Sequence, residues 1–175
     1  IMAKKKSSSD DFTVDLIKSL NKEHGSRVAY NLEYEDSPTH VKRWISTGSQ
    51  QLDYIVSNRK DGGFPEGRIV EIFGPPSIGK SHIAIHVARS TQYMGGVVVY
   101  VDTENATSVD NLKLLGVDIS KRFVYVDTHC TEEVLSIAES TIMKARAKSL
   151  FMIYIQAKEG ISGKRVKLLF VSIKM

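Results

Sequence analysis

Gly74, Pro75, Pro76, Ser77, Ile78, Gly79, Lys80 and Ser81 stand in the spacing G-x-x-x-x-G-K-[ST], and each fixed position has a chemical reason. Glycines at the two ends let the backbone turn tightly and bring its N–H groups onto an anion. Lys80 supplies a cation able to reach the β and γ phosphates of a nucleoside triphosphate, and Ser81 offers a hydroxyl to Mg²⁺. A helix opening at this point turns the positive end of its dipole toward the same charge. Average residue frequencies put a chance match in 175 residues below about one in a hundred. The competing reading, a glycine-rich turn with an incidental lysine, loses ground to the context below.

Asp102 and Glu104 follow an apolar run directly, and a carboxylate there can orient or deprotonate an attacking water. A solvated loop charge is the plainer reading on spacing alone. His82 and His86 are four apart on the segment after the loop, a spacing that puts two imidazoles on one helix face, but no third ligand stands nearby. They read better as packed or surface histidines. Cys130 is the only cysteine, so no internal disulfide forms and a reducing compartment is expected, which places the chain in the cytoplasm.

These residues need a frame. Residues 68–73 form a short β-rich run ending at Gly74, and residues 80–94 carry Ile83 and Val87 four apart before a stop at Gly95 and Gly96. Residues 97–101 are uninterrupted, apolar and β-branched, as in a strand buried on both faces. Strand, loop, helix and strand therefore predict a right-handed crossover with the phosphate loop at its first turn. The alternation continues with a helix over 108–115, a strand over 123–126, a helix over 131–147 and a strand over 150–155. The expected fold is α/β, with a mainly parallel sheet flanked by helices. Ahead of it, residues 1–11 read as a polar tail, Phe12, Leu16, Ile17 and Leu20 as a short amphipathic helix stopped by Gly25, and residues 26–44 as a linker.

Composition agrees with a folded chain: 42% hydrophobic and 25% charged residues exclude general disorder. No apolar run approaches the ~20 residues that span a membrane, and the polar start is not a signal peptide. The net charge of +4 is unevenly spread. From Lys144 onward eight basic residues face only Glu159, which leaves the preceding part net negative. A basic stretch of this kind reads first as a solvated terminus and second as a nonspecific phosphate contact.

Taken together, these blocks resemble the RecA-type recombinases and their phage UvsX-like relatives. The likeness runs from about Leu16 to Glu139 and is carried by Ile45 to Ser49 with Leu52 and Asp53, by Gly63 to Pro75, by the phosphate loop, by Val101 to Glu104, and by Leu115 to Asp118. The resemblance implies a P-loop ATPase core using ATP and Mg²⁺, with Glu104 activating the hydrolytic water and Lys80 assisting. It also implies filaments on single-stranded DNA, exchange of strands with double-stranded DNA, and self-association through the Phe12 helix. On that basis residues 1–44 are a tail, oligomerisation helix and linker, 45–155 a partial ATPase core, and 156–175 an unmatched basic tail. Two departures stand out. Ser108 and Asn111 occupy the adenine-side positions where the family has an Asp and an aromatic residue, and Gln156 stands where it has the Mg²⁺-orienting Asp. An interrupted gene or a frame shift near residues 145–155, leaving the C-terminal part of the core incomplete, is the expectation that follows. The alternatives are a non-catalytic ATP-binding filament partner and another ATPase of the superfamily, such as a ring helicase.

Overall fold

The computed structural model describes residues 8–33, 37, 39–75, 77–102, 107–128, 130–145, 150–155, 158–159 and 165–171. They divide into two compact units, residues 1–40 and 41–175.

The first unit contains helix α1, Ser8–Glu23. It begins inside the stretch expected to be a polar tail, because serine and aspartate are favoured where a helix leaves N–H groups uncapped. Gly25 stops it with φ 62°, as expected. Asn21 then fixes the returning chain: its Oδ1 accepts the N–H groups of Val28 and Ala29, both at 2.8 Å, and its Nδ2 donates to the Ala29 carbonyl at 3.0 Å. Phe12 is 68% and Leu16 46% exposed, so part of the apolar stripe faces outward.

In the second unit, β1 (Trp44–Ile45) pairs antiparallel with β2 (Phe64–Pro65), and α2 (Gln50–Ser57) lies between them in sequence. Then come β3 (Arg68–Gly74), α3 (Lys80–Tyr93), β4 (Val97–Asp102), α4 (Val109–Leu114), β5 (Phe123–Asp127) and α5 (Thr131–Ala145). The last elements are β6 (Leu150–Ile155), β7 (Lys158–Glu159) and β8 (Arg165–Val171). Strands β5, β4 and β6 form a parallel sheet in that order, with Asp102 level with Asp127 on one side and Ile155 on the other.

β4 is buried as its β-branched run requires, with Val98, Tyr100 and Val101 at the centre of the core. Helix α3 lays Ala84, Ile85, Val87 and Ala88 into the same cluster, and Ile45 and Phe64 join from the β1–β2 pair. Burying each such side chain stabilises the fold by about 1.5–3 kcal/mol for the larger ones.

Two expectations need correction. β3 and β4 are not partners in one parallel sheet: β3 pairs antiparallel with β8, and a second antiparallel pairing joins β8 to β7. Among the described residues the parallel arrangement therefore covers β4, β5 and β6. The backbone of 165–171, expected as a solvated terminus, is a strand running the whole length of β3. Its composition, RVKLLFV, is rich in residues suited to a pleated, half-buried surface, and net basic charge does not oppose that.

Candidate functional site

The loop between β3 and α3 is built by backbone conformations that ordinary residues avoid. Gly79 has φ 93° and caps α3 without any side-chain hydrogen bond to the first turn. Ser77 also lies in the left-handed region, at φ 61°. Gly74 has φ 157°, a conformation that favours glycine, and a Cβ there would meet only the Ile78 Cδ1, the end of an exposed side chain that can turn aside. The cap carbonyl of Gly79 accepts the Ile83 N–H at 3.0 Å.

Lys80 is only 6% exposed. Its Nζ donates to the carbonyls of Gly74, at 2.9 Å, and Pro75, at 2.6 Å. Among the described residues the largely buried ammonium is held by these two loop carbonyls, where it can turn toward an incoming anion. Ser81 is half-buried on the next position of the helix, while Pro75, Ser77, Ile78 and Gly79 are exposed along the loop. Pro76 lies outside the described residues. The donor set of an uncapped helix, a lysine and a hydroxyl fits a phosphate group with Mg²⁺.

At the C-terminal edge of β4, Asp102 is buried and already engaged. Its Oδ2 accepts the Thr107 N–H at 3.1 Å and the Tyr125 hydroxyl at 3.4 Å. Thr107 Oγ1 meets the buried Tyr100 hydroxyl at 2.9 Å. Burial raises the Tyr100 phenol above its ordinary range, and burial and then the Asp102 charge raise Tyr125. Asp102 thus joins the two flanks of residues 103–106. Glu104, the residue expected to activate water, lies outside the described residues, as does Gln156.

The two histidines of α3 sit edge to face with ring centroids 5.6 Å apart. His82 is exposed, and His86 is half-buried with Nδ1 buried and unpartnered among the described residues. Burial first, then the Arg89 and His82 charges, lower its basicity. Among the described residues no cluster of three or more His, Cys, Asp or Glu could hold a metal ion. Cys130 is exposed and its Sγ donates to Glu132 at 3.0 Å.

The Ile45 to Ser49 block has a structural role that spacing did not reveal. Ser46 Oγ donates to Asp53 Oδ2 at 2.6 Å, while the Thr47 N–H and hydroxyl donate to Oδ1 at 2.7 and 2.6 Å. Ser49 caps α2 by accepting the Leu52 N–H, and Gly48, at φ 84°, packs directly on the His86 ring. Nearby, Arg43 grips the buried Glu66 with Nε and Nη2, which raises the guanidinium above its ordinary value. The block thus ties β1, α2 and α3 together. No helix among the described residues is long and apolar enough to cross a membrane.

A family model, the RecA N-terminal domain, matches residues 13–162. The match extends beyond Glu139, where the motif likeness stops, and past Ile155 into the stretch expected as an unmatched tail. Curated relatives agree. "Protein RecA" of Chlorobaculum parvum is 39% identical over 126 residues, covering 72% of this chain and 35% of the relative. "Protein RecA" of Chlamydia felis is 38% identical over 145 residues, covering 83% and 39%. That of Chlamydia caviae is 38% identical over 128 residues, covering 73% and 35%. The chain spans between a third and two fifths of the length of these relatives. With a family model over most of its residues and an α/β unit with a parallel sheet, this chain belongs to the RecA-type recombinase family.

Proposed function

We propose that this chain carries the nucleotide-binding part of a recombination and repair ATPase, with residues 74–81 as a P-loop for ATP and Mg²⁺. The observation that supports it best is Lys80, buried at the start of a helix without a side-chain cap, its ammonium held among the described residues by the Gly74 and Pro75 carbonyls. A triphosphate entering the loop takes the place of those carbonyls, and the backbone N–H groups of the first turn of α3 take the remaining phosphate oxygens. Mg²⁺, when bound, would neutralise phosphate charge, and Ser81 is the residue that would hold it. Glu104 is proposed to orient the attacking water, and Asp102 to tie the flanks of its segment in place rather than take the proton itself.

The wider role proposed is the family's: assembly on single-stranded DNA and pairing with a homologous duplex, with α1 contributing to self-association through Phe12 and Leu16. A non-catalytic ATP-binding filament partner is the second reading, and the Gln156 substitution at the Mg²⁺-orienting position is what favours it. Calorimetric titration of the chain with Mg²⁺-ATP tests the core proposal. Binding by the native chain and its loss in Lys80→Ala is the expected result. Equal affinity in both proteins would reject the phosphate-loop assignment.

A further inference from the structure

We propose that a cleft at the other end of α3 is a second ligand site, which takes a nucleotide by stacking its base on Tyr93 and holding its phosphate at Lys121 and Arg122. The cleft has a volume of about 340 Å³ and is lined by Gln92, Tyr93, Gly116, Asp118, Lys121 and Arg122. That is the lower end of the size range of small-molecule sites. α3 runs from Lys80 to Tyr93, and at 1.5 Å per residue the cleft stands roughly 20 Å from the phosphate loop. The inference therefore does not rest on the loop reading.

The cleft has a fixed floor. Gln92 Nε2 donates to the carbonyls of Asp118, at 2.8 Å, and Lys121, at 3.1 Å, while its Oε1 accepts the Asp118 N–H at 2.9 Å. The one acid, Asp118, turns its charge into its own turn: Oδ1 accepts from Ser120 N, Ser120 Oγ and Lys121 N at 2.9, 2.6 and 3.2 Å. Arg122 is held at φ 56°, a conformation that non-glycine residues adopt at a cost and that concentrates at ligand sites. Its carbonyl accepts the Val98 N–H at 2.8 Å, which locks it to the start of β4, and Gly95 leaves space beside its guanidinium. Among the described residues Arg122 makes no ion pair with an acid.

Tyr93 is 78% exposed, far more than an aromatic ring needs for packing, and the Arg89 guanidinium stands over it at 5.9 Å from the ring centroid. An exposed aromatic ring in a cleft that also holds Lys121 and Arg122 is the kind of arrangement that receives a base and its phosphate. The shared chemistry of base plus phosphate fits either a free mononucleotide or one unit of a single strand.

The test titrates the whole chain, without Mg²⁺, with adenosine monophosphate in one arm and a fluorescent oligothymidylate in the other. Tyr93→Ala removes the ring, and Arg122→Gly removes the charge while suiting the backbone; circular dichroism verifies that both still fold. Binding in at least one arm, weakened about tenfold by each substitution and unchanged in Lys80→Ala, is expected, since about tenfold is the scale of a single base stack. The arm that responds identifies the source. No binding in either arm, binding that survives both substitutions, or binding lost in Lys80→Ala alone overturns the proposal. If instead Mg²⁺-ATP binding fails at the loop while this cleft responds, only the phosphate-loop reading falls.

Discussion

Replacing Asp53 with Ala removes the acceptor that three donors share inside the second unit. Of these donors, Ser46 Oγ belongs to a half-buried residue and can turn to water, and the Thr47 hydroxyl can turn to the Ser49 carbonyl, which already lies 3.4 Å away. The Thr47 N–H has no such alternative, because the residue is buried and the N–H direction is set by the chain. Stranding one buried donor costs about 1–3 kcal/mol, and a hydrogen bond to a charged acceptor contributes about 1.5–3 kcal/mol net. These overlap, so about 3 kcal/mol is the expected loss. With a urea slope near 1.5 kcal/mol/M, typical of a small domain, the unfolding midpoint should fall by about 2 M. Asp53→Asn keeps one oxygen for both Thr47 donors and lets Ser46 accept from the new amide, so its loss should stay near 1 kcal/mol. Urea titration followed by circular dichroism reads all three proteins. A midpoint for Asp53→Ala within about 0.3 M of the native value, equivalent to about 0.5 kcal/mol at that slope, would refute the claim that this carboxylate organises the block.

Other expectations follow from the same packing. Gly48→Ala should destabilise by about 1–2 kcal/mol, since φ is 84° and the new Cβ would sit 2.9 Å from the His86 ring; pairing it with His86→Ala should recover part of the loss in the same urea titration. His86 has its folded pKa lowered, so the unfolded chain binds more protons as pH falls. Its contribution is present above the ordinary histidine value of about 6.5 and diminishes below it, and the acid loss of midpoint should be smaller in His86→Gln. Native and variant chains losing stability equally between pH 7.5 and 5.5 would contradict this. ATP turnover stimulated by single-stranded DNA should stay far below that of an intact family ATPase, because a missing Mg²⁺-orienting carboxylate commonly costs orders of magnitude and each ~1.4 kcal/mol is tenfold. A coupled phosphate-release assay checks it, and rapid turnover by the native chain would show that Gln156 is no defect.

The parts of the fold legible in the sequence were those with strong local signals. The unbroken β-branched run at β4, the glycine stops after α1 and α3, and the Thr131 start of α5 each specify their element within a few residues. Strand partnership was not legible. Nothing in residues 68–74 says whether the neighbour is parallel β4 or antiparallel β8, since pairing is decided by which distant segment presents free backbone groups. The proposed phosphate loop stands out in the sequence because its motif is concentrated in eight consecutive residues. The Asp53 network does not, because its donors and acceptor lie on different elements, and a carboxylate in a short helix looks from sequence like surface charge. The Tyr93 cleft was hidden for the same reason: its residues come from positions 92–93 at the end of α3 and positions 116–122 before β5, far apart in the chain.

The most direct measurement of the central claim is a ¹⁵N amide spectrum of the chain titrated with Mg²⁺-ATP. The account predicts that the largest shifts fall on the N–H groups of Ser77, Ile78, Gly79, Lys80 and Ser81, that they saturate, and that they vanish in Lys80→Ala. Saturating shifts confined to other residues, or no shifts in the loop at any ATP concentration, would contradict it.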